Sequence, residues 1–104
     1  MFRNRILPSM ISRAQMEVYA KYDGDVDARA TFARSAERGL ISEAVWRQVD
    51  RFREDLGRVR AGLATPEYAA RVEREVAAAF SDPVALSILA RLVDADGTRT
   101  RAAG

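Results

Sequence analysis

The stretch Ser42-Glu43-Ala44-Val45-Trp46-Arg47-Gln48-Val49-Asp50-Arg51-Phe52-Arg53-Glu54-Asp55-Leu56-Gly57-Arg58-Val59-Arg60-Ala61-Gly62-Leu63 decides the fold class. Within it Val45, Val49, Phe52, Leu56, Val59 and Leu63 follow one another at steps of 4, 3, 4, 3 and 4. That spacing lines one face of an α-helix, and the seven-residue repeat persists for about five turns. Ser42 is an N-cap residue whose hydroxyl can accept from a free N–H of the first turn. Glu43 adds a carboxylate at the positive end of the helix dipole. Ile41 and Trp46 stand at the spacing of a hydrophobic staple. The four-spaced pairs Glu43–Arg47, Arg51–Asp55 and Glu54–Arg58 add only ~0.2–0.5 kcal/mol each and serve solubility. Gly57 weakens the interior by ~1 kcal/mol against alanine, and Gly62 ends the helix.

The same punctuation recurs on both sides of this spine. Ser12 with Gln15 forms a capping box, and Ile11 with Met16 a second staple, so a helix is expected from there to about Tyr22, stopped by Asp23-Gly24. Asp25 is read as the cap of a further helix reaching about Arg38. Its thin apolar face is Val26, Ala30, Ala33 and Ala36, with Phe32 off that spacing. Thr65-Pro66 and Asp82-Pro83 each set a cap before a first-turn proline. They open a helix buried through Tyr68, Val72, Val76, Ala79 and Phe80, and another buried through Ala85, Ile88, Leu89, Leu92 and Val93 to about Ala95. No β-branched run alternates with polar residues, so no strand is expected. The short connections favour antiparallel neighbours. The expectation is an all-α, compact bundle of four to five helices with a long central heptad-patterned helix. Residues 1–11 are read as an extended lead-in, 12–97 as one helical domain and 98–104 as a flexible tail.

Composition narrows the chemistry. The 104 residues suit one domain, with 48% hydrophobic and 31% charged residues. There is no cysteine and no histidine, which excludes disulfides, thiolate nucleophiles, imidazole bases and cysteine–histidine zinc sites. No stretch approaches the roughly 20 apolar residues of a membrane span. The basic residues near the start precede no apolar run of the kind a signal peptide carries. A cytoplasmic protein without membrane attachment is expected. The net charge of +2 divides unevenly: residues 1–13 carry +3 and the tail +2, leaving −3 on the body. A nucleic-acid footprint should lie on a folded face, so nucleic acid is not the expected partner.

Asp23-Gly24-Asp25-Val26-Asp27 is the densest acidic cluster. It mimics the first positions of a calcium loop, but Ala28 stands where glycine is needed and Arg34 where glutamate is needed. No metal and no cofactor is therefore expected. Gly24 as a helix stop and Asp25 as a cap explain two of these residues structurally. Alternatively Tyr19, Tyr22, Asp23, Asp25 and Asp27 form an acidic, aromatic-edged surface for a basic protein, with Trp46 either a core residue or a further contact. Asp50, Glu54 and Asp55 lie among arginines that hold carboxylates ionised, and no base can activate a serine, so catalysis is not expected. Residues 32–42 have the outline of a helix-turn-helix, but the second helix would be the core spine rather than an exposed reading helix.

Tyr19 and Tyr22 before Gly24-Asp25-Val26-Asp27, Trp46 with Asp50, and Gly62-Leu63-Ala64 with Glu67-Tyr68 carry a resemblance. On them the chain, over about residues 10–94, resembles the small all-helical immunity proteins of bacterial polymorphic toxin systems. The segment Ala28 to Ile41 departs from that pattern. The resemblance implies a protein that binds and blocks one cognate toxin, without a cofactor. Separately, a monomer or weak homodimer is expected. The reading from a different class is a small helical DNA-binding regulator using Arg3, Arg5, Arg99 and Arg101. A third is a bundle that self-associates through the heptad face of the spine.

Overall fold

The computed structural model describes residues 11–103, with side chains from 11 to 98. The lead-in with Arg3, Arg5 and Pro8, and the side chains of Arg99 and Arg101, lie outside that range. Five α-helices follow in order: α1 (Arg13–Lys21), α2 (Ala28–Ala33), α3 (Glu43–Arg60), α4 (Pro66–Ala79) and α5 (Pro83–Ala103), with a 3-10 turn at Ala36–Gly39 between α2 and α3. The described chain is all-helical, as its periodicity predicts. α4 packs on α3, and α5 runs against both α1 and α3. Among the described residues no helix is long and apolar enough to cross a membrane.

The helix starts follow their local signals. Ser12 accepts from the Gln15 N–H at 3.2 Å while the Gln15 side chain accepts from the Ser12 N–H at 2.9 Å, closing the capping box. Ser42 accepts from the Val45 N–H and Thr65 from the Tyr68 N–H. Asp82 accepts from the Val84 N–H, one residue after the first-turn proline of α5. Both staple pairs, Ile11 with Met16 and Ile41 with Trp46, are buried in one apolar cluster. The Ile11 N–H donates to the Ala79 carbonyl and ties the start of α1 to the end of α4.

Three expectations are corrected. The heptad stripe of α3 is buried through Val45, Val49 and Phe52 and half-buried at Leu56 and Val59, but Leu63 is 77% exposed. Gly62 adopts φ +76°, and the N–H groups of Gly62 and Leu63 donate to the carbonyls of Val59 and Arg58. That paired closure turns the chain off the helix axis, so Leu63 leaves the stripe.

The single helix expected over 25–38 is two pieces. Asp27, not Asp25, is the N-cap of α2 and makes no side-chain cap bond. The Asp25 carboxylate instead accepts from the Asp27 N–H at 2.9 Å. Ser35, in extended conformation, takes the Glu37 N–H and starts the 3-10 turn, which breaks the helix. Val26 is fully exposed, Ala33 and Ala36 are exposed, and Phe32 is the buried residue of the segment. Burying one phenylalanine is worth about 1.5–3 kcal/mol, more than the alanine stripe offers, so Phe32 sets the orientation.

The last helix does not stop near Ala95 but continues through Gly97 to Ala103. Asp94 pairs with Arg60 and Asp96 with Arg53, both on α3, and Thr98 donates back to the Asp94 carbonyl. These bonds hold the helix over a glycine that local propensity alone would favour as a stop.

Candidate functional site

At one end of the bundle, the α1–α2 turn, α2 and the outer face of α3 enclose a shallow groove of about 310 Å³. Five of the six residues proposed from sequence line it: Tyr19, Tyr22, Asp23, Asp25 and Trp46. Asp27 does not, although it is exposed nearby in the chain.

The floor is a cluster of rings. The Trp46 centroid lies 5.1 Å from Tyr19, 4.7 Å from Phe32 and 6.4 Å from Tyr22, and Tyr22 meets Phe32 edge-on at 5.9 Å. Tilted and edge-on pairs at these distances are the favoured arrangements of aromatic quadrupoles. All four rings are buried. The aromatic edge expected on the surface is thus part of the core, and the solvent-facing rim is polar. Spacing placed the tyrosines together but could not show which way they face, because a tyrosine suits either a core or a rim.

Each buried tyrosine turns its hydroxyl outward to a carboxylate. Tyr19 donates to Asp50 at 2.7 Å and Tyr22 donates to Glu37. Burial first, and the Asp50 hydrogen bond second, push the Tyr19 hydroxyl well above its ordinary value, which favours the protonated, donating form. Hydrogen bonds from Lys21 and Tyr22 hold the Glu37 carboxyl below its ordinary value.

Two arginines complete the rim. Arg53, whose side chain is 15% exposed, grips Asp96 with two bonds of 2.6 and 2.7 Å and donates to Asp23 at 2.7 Å. It thereby joins α3 to the end of α1 and to α5. Arg29 of α2 donates to Glu43 at 2.6 Å and pairs with Asp50, while its guanidinium sits 5.1 Å from the centroid of Trp46. Cation and ring attract through the ring quadrupole, most strongly over tryptophan.

Arg29, Arg53 and Glu37 were not among the residues picked from sequence. A signal existed for Arg53: Trp46, Asp50 and Arg53 follow at steps of 4 and 3, the ridge beside the apolar stripe of α3. None existed for Arg29 or Glu37, which reach the site only through the tertiary path of the segment between α1 and α3.

The calcium-loop outline is occupied by other bonds. Asp23 is held by Arg53 and Asp25 by the Asp27 backbone. Among the described residues no group of three or more acids is placed to hold a metal ion. The site brings together an indole covered by Arg29, carboxylates bonded to tyrosine hydroxyls and paired arginines. No family model matches the chain, and no curated protein or solved structure is detectably similar to it.

Proposed function

We propose that this chain is a non-enzymatic protein-binding module, and more specifically an immunity protein that binds and neutralises a bacterial toxin in the cytoplasm, without a cofactor. The observation that carries the reading is the turn at 23–27. Asp25 and Asp27 are exposed, and Val26 between them is fully exposed at 104%. The turn follows buried Tyr22, whose carbonyl accepts from the Asp25 N–H, and presents two carboxylates with an apolar tip between them. Carboxylates steer a cationic partner and fix its register, while the desolvated contact supplies affinity. A toxin surface shaped for nucleic acid or a nucleotide is basic and would meet the acidic body of this chain.

The experiment is a tagged capture from the native cell at moderate salt, followed by affinity measurement on the recovered partner. A single stoichiometric protein partner, toxic when expressed alone, is expected. Reversing charge with Asp25→Lys and Asp27→Lys together is expected to weaken binding by roughly ten-fold, ~1.4 kcal/mol, with helicity by circular dichroism unchanged. Unchanged affinity removes this surface. Nucleic acid recovered without a protein partner replaces the reading with the DNA-binding regulator.

A further inference from the structure

We propose that the face of Trp46 covered by Arg29, with Asp50 and Glu43 at its edge, is a binding site for an arginine side chain of the partner, which would take the place that Arg29 fills in the free chain. The source of the arginine rests on the protein-binding reading above; the site itself does not.

Everything a guanidinium needs is assembled at one place. The indole provides a flat face at 5.1 Å, and Glu43 and Asp50 provide carboxylates on either side of the present occupant. Asp50 is itself aimed: its Oδ1 accepts the hydroxyl of buried Tyr19, which leaves Oδ2 for the guanidinium. A planar, five-donor fork stacked on an aromatic ring and paired to carboxylates is the geometry that arginine fits and lysine does not.

The occupant is held by a short helix without a side-chain cap, the six-residue α2. Phe32 already fixes α2 to the core, at 6% exposure, so the segment does not depend on Arg29 for its attachment. The Arg29 side chain is 42% exposed, beside the open groove. An arginine arriving from a partner would replace it with no change of charge in the site: one guanidinium leaves the indole and its two carboxylates, another takes them. Arg29 would then face outward beside the acidic turn, available to a carboxylate of the partner.

Trp46 is the sole tryptophan, so its fluorescence reads the site directly. Arg29→Ala and Arg29→Gln, each checked for native helicity, are titrated with N-acetyl-arginine amide at constant ionic strength, with the blocked lysine as control. A saturable change in emission is expected in both variants. The apparent affinity should be about ten-fold tighter than in the unmodified chain, where the ligand must first displace a tethered competitor. Adding Asp50→Asn to either variant should abolish the response. A folded Arg29→Gln protein with no saturable response overturns the proposal, as does an equal response to blocked lysine or one that survives Asp50→Asn. If the arginine site fails while the Asp25/Asp27 reversal still weakens the partner, the protein-binding reading stands without it. If the arginine site holds and no protein partner is captured, the site stands and the toxin reading falls.

Discussion

The helix at 43–60 and the segment at 28–39 are neighbours in the chain and both carry part of the groove, yet they are held by different means. α3 has a side-chain cap from Ser42, an acidic first turn and a buried staple at its start. Its end is closed by two backbone bonds at Gly62 and Leu63. Each of these lies within a few residues of what it stabilises. The 28–39 segment has no side-chain cap on α2 and is broken by Ser35. It is placed by distant partners, Phe32 against Trp46 and Glu37 to Tyr22 and Lys21, with the half-exposed Arg29 pairs to Glu43 and Asp50 as an addition. The first region supplies its own shape, and the second borrows shape from the surface it covers. A rim made of borrowed structure can rearrange without unfolding the element beneath it.

Four substitutions test that contrast. Phe32→Ala should have the largest effect, a loss of about 3–5 kcal/mol in urea unfolding followed by circular dichroism. A loss below about 1 kcal/mol, the size of a surface change, would mean that the 28–39 segment is not docked on the core. Ser42→Ala should cost ~1 kcal/mol as a broken cap, whereas Asp27→Ala, at a cap position with no cap bond, should stay within about 0.5 kcal/mol. Equal losses for the two would erase the distinction between a locally and a tertiarily held helix start. The smallest effect is a gain. A Cβ built on Gly57 meets nothing within 4 Å, so Gly57→Ala should stabilise the self-sufficient helix by ~0.5–1 kcal/mol. A loss would show that the spine needs this glycine for packing not visible in its immediate surroundings.

What the sequence made legible follows the same division. α1, α3 and α4, with the start of α5, were readable because their signals are local: a hydroxyl, a proline or a glycine at a fixed offset from an apolar period. The extent of α2 was not readable, because Phe32 competes there with an alanine stripe and the winner depends on where Trp46 lies in space. The end of α5 was missed for a similar reason. Gly97 signals a stop, but Asp94 and Asp96 are held by Arg60 and Arg53 from another helix. In the site, five of six chosen residues do converge on one groove. Their burial did not follow from spacing, and neither did Arg29, whose place is defined only once the turn at Gly24, with φ +85°, has brought α2 back over α3.

One feature of the packing bears on the order in which the molecule can be made. α1 runs along α5, and Ile11 is tied to the Ala79 carbonyl. The contacts of α1 with α5 therefore form only after α5 has been synthesised, later than those of Tyr19 with Trp46 on α3. Met16, Val18 and Tyr19 have no complete shelter while α2, α3 and α4 are being synthesised, and at some 5–20 residues per second that wait lasts several seconds. The α1–α5 side of the core thus closes after α3 and α4 can already have paired.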